Sequence, residues 1–185
     1  MATGLKDHRV TADLKDLRII HYPDPRLRQV CEPVTEFDGA LAALVQRMFE
    51  LMETGKGVGL AASQVGVTKR VIVVNPTGEP GDNQVFVNPA IHEPHGSVEA
   101  EEGCLSLPGI NVQVRRAQSC RLTAHDLHGN PVELDLKDLF ARICQHETDH
   151  LNGVMIIDRM GPTDRIATRK TLKALEDSFK SRSSR

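Results

Sequence analysis

The 185-residue sequence lacks several features that would assign it to a particular class of protein. No apolar run approaches the roughly 18 residues that a membrane-spanning helix needs, and the N-terminal segment lacks the hydrophobic region of a secretory signal. The four cysteines form no C-x-x-C pair, which disfavours a zinc ribbon and a disulfide-dense scaffold. A formal net charge of -2 provides no global attraction to DNA or to a membrane. We therefore expect a soluble intracellular protein with reduced thiols.

Length and composition predict a single folded domain. A chain of 185 residues can bury one sizeable core but is short for two. Its 39% hydrophobic and 26% charged residues are ordinary for a globular protein. The polar, aperiodic start predicts a flexible extension over residues 1–16, followed by a folded unit over 17–162. Apolar residues at helical spacing among many lysines and arginines predict a basic C-terminal helix and tail over 163–185.

Apolar periodicity predicts two further helices. The first begins after Asp38, a favourable N-cap residue, and ends near Gly55, with apolar residues recurring three and four positions apart. The second extends from about Leu136 to Asn152, and Gly153 is placed to end it. Its predicted apolar stripe consists of Leu136, Leu139, Phe140 and Ile143.

Strand patterns occupy the middle of the chain. Short β-branched runs at 70–75 and 84–88 predict two strands. Alternating segments that start at Cys120 and Pro131 predict a hairpin with its turn at His128 to Asn130. The pattern therefore predicts an antiparallel sheet together with separate helices, which is an α+β arrangement.

The segment QHETDHLNG, residues 145–153, has the spacing of a metal site on a helix. His146 and His150 are four residues apart, so their imidazoles can converge on one ion. Glu147 can reach a water on such an ion without being a ligand. All three residues continue the apolar stripe, which directs them toward the core. The alternative is a helix whose histidines are satisfied by ordinary hydrogen bonds.

A catalytic metal site needs a third protein ligand. Metzincin proteases have a third histidine six residues after the second, but that position holds Ile156 here. A downstream glutamate of the thermolysin kind would be Glu176, which we expect on the exposed face of the basic helix. Upstream, Cys104 lies in the compact segment EEGCLSLPG, where a thiolate ligand is chemically suitable. The alternative for Cys104 is a small buried apolar residue, the commonest fate of a free cysteine.

A glycine-rich segment, GKGVGLAASQVGV at 55–67, includes Gln64. Glycine permits the close approach of another chain, and a glutamine amide is a suitable donor to a developing oxyanion. The segment matches neither a Walker A loop nor a G-x-G-x-x-G fingerprint. Gln64 is therefore a candidate catalytic residue.

Three segments together carry a family resemblance. GVGLAASQ at 57–64, EGCLS at 102–106 and QHETDH at 145–150 occur in that order, roughly 40 residues apart, and resemble the three motifs of the peptide deformylase family. The resemblance covers about residues 17–160. It implies an α+β fold in which antiparallel sheets pack around a central helix carrying H-E-x-x-H, with N-terminal and C-terminal helices. It also identifies 17–162 as the catalytic domain.

The resemblance further implies a metal-dependent hydrolase. Its substrates would be nascent chains that begin with formyl-methionine, and its product would be formate. One divalent metal would be held by Cys104, His146 and His150. Ferrous iron would be the usual ion in the cell, and zinc, nickel or cobalt would be possible replacements. Glu147 would act as general base and acid.

Two further donors and a substrate pocket follow from the same resemblance. Gln64 and the backbone N–H of Leu105 would hold the oxyanion. Peptide backbone would pair with the segment around Val58 and Gly59 by strand addition. The predicted substrate-binding residues are Val58, Gly59, Glu102, Leu139 and Ile143, with Leu105 as another wall of the methionine pocket.

One position departs from the family pattern, and another, Asp149, matches it but has two alternative roles. Bacterial relatives often have an arginine shortly after the C-L-S motif, whereas this chain has Asn111. Arg115 or Arg116 is the expected substitute for its substrate contacts. Asp149 either supports a metal ligand or is solvated at the edge of the helix.

Two other functional classes compete with the metallohydrolase. Cys104 can be the nucleophile of a thiol hydrolase with a histidine base. A closed, non-catalytic metal site would need a fourth ligand, and Cys144 is expected to point away. The resemblance leads us to expect nascent peptides as partners. The basic tail is most simply a solvated helix face, and a ribosome contact through it is the alternative that its charge and the substrate suggest. Neither DNA nor a membrane is an expected partner. The expected location is the cytoplasm of a bacterium, or alternatively a eukaryotic organelle.

Overall fold

The structure, a computed structural model, describes residues 14–183. Within that range the chain forms an α+β fold with antiparallel sheets, as predicted. Most of the predicted flexible extension and the last two residues of the basic tail lie outside the described residues. The last three residues of that predicted extension, Leu14–Asp16, form one turn of 3₁₀ helix.

Helix α1, Gly39–Thr54, confirms the first predicted helix. The Asp38 carboxylate accepts hydrogen bonds from the N–H groups of Ala40 and Leu41, both at 3.0 Å. Such a cap contributes about 1 kcal/mol, because it satisfies N–H groups that have no partner within the helix. The buried residues of α1 recur at helical spacing and form one face: Leu41, Leu44, Val45, Met48 and Met52.

Five antiparallel strands form the main sheet in the order β1-β2-β3-β6-β7. Their bounds are β1 Gly59–Ala61, β2 Val71–Val74, β3 Gln84–His95, β6 Ser119–His125 and β7 Pro131–Lys137. The predicted hairpin between β6 and β7 is confirmed, and Asp126 closes its turn by accepting hydrogen bonds from the N–H groups of His128 and Asn130. Strand β3 extends seven residues beyond the predicted end at 88.

Strand β2 is buried on both faces because the sheet lies between α1 and α2, the helix Asp138–Leu151. Val71 and Val73 pack in the apolar cluster that contains the buried face of α1. Ile72 and Val74 pack in the cluster that contains buried residues of α2. Alternate side chains of a strand point to opposite faces, so a continuous run of four apolar residues suits this position.

A second sheet of two strands was not predicted. Strand β4, Val98–Gly103, pairs with β5, Asn111–Arg116, in antiparallel register. The sequence of β4, VEAEEG, is mostly exposed and has no alternation of apolar and polar residues. Pairing with β5, whose alternate residues are buried, therefore determines its strand conformation. The loop between the two strands contains Cys104.

The boundaries of α2 correct the predicted apolar stripe. The predicted start at Leu136 was wrong, because Leu136 is a buried residue of β7. Leu139 does belong to α2, but it is not part of a buried stripe, since 54% of its surface is exposed. Helix α2 packs against β1, β2, β3, β6 and β7 of the main sheet.

Two helices complete the described chain, α3 at Ile156–Arg159 and α4 at Pro162–Ser183. Helix α4 confirms the predicted C-terminal helix. Its Leu172 and Leu175 pack against an apolar cluster that includes Val112 and Val114 of β5. Glu176 was expected on an exposed face, but it is half-buried. It faces the rest of the fold, where the Tyr22 hydroxyl donates a hydrogen bond to it at 2.8 Å. None of the helices in residues 14–183 has the length and apolar character needed to cross a membrane.

Candidate metal centre

Cys104 and two histidines of α2 converge on one point. Cys104 Sγ lies 3.3 Å from His150 Nε2, and His150 Nε2 lies 3.2 Å from His146 Nε2. All three ligand atoms lie within 4.8 Å of one another. Nitrogen and sulfur ligands at about 2.0–2.3 Å from a tetrahedral ion would be roughly 3.3–3.7 Å apart, so this group fits one ion. A thiolate and two imidazoles suit a borderline-soft divalent metal.

The two histidines are held in different ways. His146 Nδ1 lies 2.9 Å from Glu102 Oε2, which leaves Nε2 directed at Cys104 and His150. His150 is almost fully buried, and burial lowers its pKa well below 6.5. A neutral imidazole is the form that binds a metal.

Glu102 supports His146 from a buried position. Its carboxylate also accepts two hydrogen bonds from Arg116, at 2.6 and 2.9 Å, and one from Arg142 at 2.6 Å. Burial alone would raise the pKa of Glu102, but the contacts with His146 and Arg116 outweigh it and lower the pKa to about 2. Both oxygens are therefore engaged within the protein, although Glu102 also borders the adjoining cavity.

Asp149 continues this network to α3. It accepts a hydrogen bond from Arg116 at 2.8 Å and two from Arg159, both at 2.5 Å. Of the two expectations for Asp149, the geometry fits indirect support of a metal ligand, through Arg116 and Glu102. Arg116 is buried by these contacts and cannot supply the substrate contacts of a missing arginine. Arg115 is exposed and pairs with Glu99, and it does not border the cavity beside Cys104.

Glu147 lies on the same face of α2 and is 4% exposed. Its Oε2 atom is buried and has no hydrogen-bond partner within residues 14–183. Gly59 of β1 packs directly against the other oxygen. Burial raises the pKa of Glu147 from 4.5 to about 7, so the carboxylate can exchange a proton near neutral pH.

Gln64 is oriented by a backbone contact. Its Oε1 atom accepts a hydrogen bond from Ala61 N–H at 2.9 Å. The Nε2 atom therefore faces Cys104 Sγ at 3.5 Å and Ser106 Oγ at 3.3 Å. In the described part of the chain, no acceptor faces the N–H of Leu105. Both donor groups therefore lie next to Cys104, although Gln64 Nε2 donates to Cys104 and Ser106 in this structure.

A cavity of about 400 Å³ opens beside Cys104, His146 and Glu147. Ile143 is buried at its wall, whereas Val58 and Leu139 are 43% and 54% exposed. The predicted pocket residues all border it: Val58, Gly59, Glu102, Leu105, Leu139 and Ile143. Sequence reasoning missed Lys56 and Arg142, which also border it, because neither belongs to a motif.

The free edge of β1 faces this cavity. Val58 C=O accepts a hydrogen bond from Asn75 N–H on the side of β2, whereas Ala61 N–H bonds to Gln64 on the other side. Backbone groups of alternate residues face opposite sides of a strand. The N–H and C=O of Gly59 therefore face away from β2 and are available to an incoming peptide.

The chain is thus an α+β protein with a candidate centre for a divalent metal and a buried carboxylate beside that centre. The model of the polypeptide deformylase family matches residues 16–166. The chain belongs to the polypeptide deformylase family.

Individual relatives agree in sequence and in structure. The peptide deformylase of Chromobacterium violaceum is 44% identical over 160 residues, which cover 86% of this chain and 96% of that protein. The chloroplastic/mitochondrial peptide deformylase 1B of Arabidopsis thaliana is 44% identical over 168 residues, which cover 88% of this chain and 61% of that protein. A crystal structure of the Arabidopsis enzyme with an inhibitor has a TM-score of 0.87 at 41% identity, covering 91% of this chain and 95% of that one.

The family's reaction is metal-dependent removal of the N-formyl group from nascent peptides, and this is the function of the chain. Deformylases act on formyl-methionine at the N-terminus of these peptides.

Proposed function

We propose that Cys104, His146 and His150 bind the divalent metal and that Glu147 moves the proton during deformylation. The convergence of three ligand atoms beside a buried, unpartnered carboxylate supports this assignment. Ferrous iron is the proposed ion in the cell, with zinc, nickel or cobalt as replacements, because a thiolate and two imidazoles suit all four. When bound, the metal would polarise the formyl oxygen and lower the pKa of a water molecule.

Glu147 is the proposed general base and acid. Its carboxylate takes a proton from the attacking water and later delivers that proton to the amine as the C–N bond breaks. A pKa near neutrality suits both steps, because the group must accept and then release the same proton. Gly59 packs against one oxygen of the Glu147 carboxylate and restricts its position. Glycine has no side chain that could form a hydrogen bond to that oxygen.

Gln64 and Leu105 are the proposed donors to the developing oxyanion. Negative charge forms on the formyl oxygen when water adds to the carbon, and donors already in place stabilise it without reorganisation. The Ala61 contact holds the Gln64 amide with Nε2 toward the site. The N–H of Leu105 lies in the loop that carries Cys104, so it is fixed relative to the ligand.

The methionine side chain is proposed to enter the cavity against Ile143, Leu105, Val58 and Leu139. The peptide backbone would pair with the free edge of β1 at Gly59. Such pairing uses only main-chain hydrogen bonds, so the site would accept many different residues after the methionine. We reassign Glu102 from substrate binding to positioning of His146, because its oxygens are engaged by His146 and two arginines.

A thiol hydrolase is the second candidate, since Cys104 Sγ lies 3.3 Å from His150 Nε2. That pairing has the geometry of a nucleophile and its base. A thiol hydrolase would give no role to Glu147. It would also leave unexplained why Glu102 directs His146 toward Cys104 and His150. A closed structural site is disfavoured because, among the described residues, no further cysteine or histidine joins the group.

One experiment separates these functions. The protein is purified without oxygen, its metal is measured, and formate release from formyl-methionine peptides is assayed before and after chelation. We expect about one ion per chain, loss of activity on metal removal, and recovery when metal is returned. Cys104→Ala should lose the metal, whereas Glu147→Ala should retain it and be inactive. Activity that survives complete metal removal would establish the thiol hydrolase, and normal turnover by Glu147→Ala would overturn the role of Glu147.

We also propose that the exposed basic face of α4 contacts the ribosome. Truncation after residue 162 is a poor test, because it would uncover the core packed by Leu172 and Leu175. Arg169→Glu with Lys170→Glu changes only exposed positions. We expect this variant to lose salt-sensitive cosedimentation with ribosomes while free peptides are still deformylated. Unchanged ribosome binding would refute the contact.

The cytoplasm of a bacterium is the proposed location, and an organelle is the alternative, since relatives include bacterial proteins and a chloroplastic/mitochondrial one. Residues 17–162 are the proposed catalytic domain, supported by the family match over 16–166. Fractionation of source cells, probed with an antibody to the chain, tests the location.

A further inference from the structure

A second cavity, of about 710 Å³, opens on the other side of α2. It shares no lining residue with the cavity beside Cys104. With about 100° between successive residues, the α2 positions on the two walls occupy different sectors of the helix surface, which adjoin where Arg142 and Asp149 lie one above the other. The α2 residues at the second cavity are Gln145, Thr148, Asp149 and Asn152.

Guanidinium groups dominate this second cavity, although the chain as a whole has a net charge of -2. Among residues 14–183, Asp149 provides the single carboxylate that borders it. Arginine is suited to oxyanions because its planar fork can donate two parallel hydrogen bonds. The arginines that border the cavity are Arg70, Arg115, Arg116 and Arg159.

Two of these arginines are already neutralised. Arg116 is buried and forms a two-point contact with Glu102. Arg159 forms a two-point contact with Asp149. These pairs leave no net negative charge on the wall, because each carboxylate faces at least one guanidinium. An anion in the cavity would therefore not be repelled by Asp149.

Arg70 is the uncompensated cation of the cavity. It is half-buried, and its guanidinium donates to Asn152 Oδ1 at 2.9 Å and to Pro89 C=O at 3.0 Å. Both acceptors are neutral, and within residues 14–183 no carboxylate forms a salt bridge with Arg70. Two neutral anchors hold the side chain in one position without removing its charge.

The cavity wall also contains an unsatisfied hydroxyl. Thr148 is 8% exposed, and its Oγ1 atom is buried without a hydrogen-bond partner in the described chain. Buried hydroxyls are nearly always hydrogen-bonded in folded proteins, to protein, ligand or ordered water. A rotation of the Thr148 side chain toward the cavity would let an oxyanion, or a water that it carries in, satisfy the hydroxyl.

We propose that this second cavity is a binding site for a phosphate group, with Arg70 as its principal cation and Thr148 as a hydroxyl contact. A phosphate offers several acceptor oxygens to the guanidinium of Arg70, to the weakly paired and exposed Arg115, and to the hydroxyl. The phosphate can belong to an RNA backbone or to a small phosphorylated molecule, because both present the same oxyanion.

Titration calorimetry of the full-length chain tests the proposal with two probes, inorganic phosphate and a ten-nucleotide single-stranded RNA, in a low-salt buffer. Arg70→Gln should weaken phosphate binding about tenfold or more, the usual loss for a charge-assisted hydrogen bond. Thr148→Val removes only the hydroxyl and should weaken binding about threefold. Arg18→Gln, which makes the same charge change at an exposed position outside both cavities, is the control and should bind normally.

Melting temperature and formate release are measured on each variant, because loss of folding would also abolish binding. Unchanged values in Arg70→Gln together with weaker phosphate binding would support the site. Tighter binding of the RNA than of phosphate, declining with added salt, would identify an RNA backbone, and the reverse order would identify a small phosphorylated molecule. The proposal is overturned if neither probe binds, if Arg70→Gln binds normally, or if Arg18→Gln is equally weakened.

Discussion

Gly59 of β1 and Glu147 of α2 are in such close contact that a Cβ atom on Gly59 would lie 2.4 Å from Glu147 Oε1. The same atom would lie 2.9 Å from Cγ2 of Ile143. Neither separation is compatible with van der Waals radii, so only glycine allows β1 to pack here. The strand proposed to pair with the substrate peptide is thus in direct contact with the proposed proton carrier.

Gly59→Ala should therefore displace the Glu147 carboxylate. Displacement by about 1 Å typically costs about 100-fold in rate, and we expect a loss of that size in formate release. Metal content should be unchanged, because the three atoms nearest to the added Cβ belong to Glu147 and Ile143 and not to a proposed ligand. Gly39→Ala is the control, since nothing lies within 4 Å of the added Cβ. Normal turnover by Gly59→Ala would show that the carboxylate position is not critical.

The candidate site was predictable where its geometry is local. Histidines four residues apart on a helix share a face, so His146 and His150 follow from spacing alone. The partner of His146 does not follow, because Glu102 lies 44 residues before it along the chain, and Arg116, which holds Glu102, lies 14 residues after Glu102. No periodicity encodes a contact between a strand of the small sheet and a helix. Glu102 was therefore predicted as a substrate-binding residue. It does border the cavity, but the sequence could not show that His146 and two arginines engage its oxygens.

The fold was predictable to a similar extent. Helix α1 has a capping aspartate and a clear apolar face, and the β6–β7 hairpin has a short turn, so both could be predicted. Strand β4 was missed because its own residues carry no strand pattern and its conformation depends on β5. Leu136 was assigned to α2 because its spacing to Phe140 and Ile143 is helical, although it ends the buried face of β7.

Glu102→Gln should weaken metal binding. Loss of the carboxylate removes the charged partner of His146 Nδ1, and such losses typically reduce metal affinity about 10-fold to 100-fold. It should also destabilise the fold by about 3 kcal/mol, because Arg116 and Arg142 lose a buried counter-charge. Competition with a colorimetric chelator measures the first effect and urea unfolding the second. Glu99→Gln, on the exposed side of the same strand, should change neither, and unchanged metal affinity in Glu102→Gln would contradict the positioning role.

Gln64→Glu should reduce catalysis without removing the metal. The substitution keeps the shape of the side chain but replaces the Nε2 donor with an oxygen that repels a developing oxyanion. Removing one such donor usually costs about 100-fold to 1,000-fold in kcat, with a smaller effect on KM. Gln29→Glu makes the same change at an exposed position and should be active. If Gln64→Glu raises KM and leaves kcat intact, the residue binds substrate and does not stabilise the transition state.

The pKa of Glu147 also predicts how the stability of the metal-free protein depends on pH. Burial raises this pKa from 4.5 to about 7. Between these values the unfolded chain releases the proton while the folded chain retains it, so the unfolded state binds fewer protons. The free energy of unfolding contributed by Glu147 therefore decreases as pH rises from 4.5 to 7, and the loss is on the order of 3 kcal/mol.

Urea unfolding of the metal-free protein at pH 5.0, 6.0 and 7.0, compared with Glu147→Gln, isolates this contribution. Glutamine is uncharged at every pH, so the variant should gain stability relative to the wild type as pH rises, because it avoids the ionisation of a buried carboxylate. Glu36→Gln, at an exposed position, should keep a constant difference from the wild type. A constant difference for Glu147→Gln as well would mean that Glu147 ionises normally in the folded chain. Its suitability as a proton carrier near neutral pH would then require the bound metal and not burial alone.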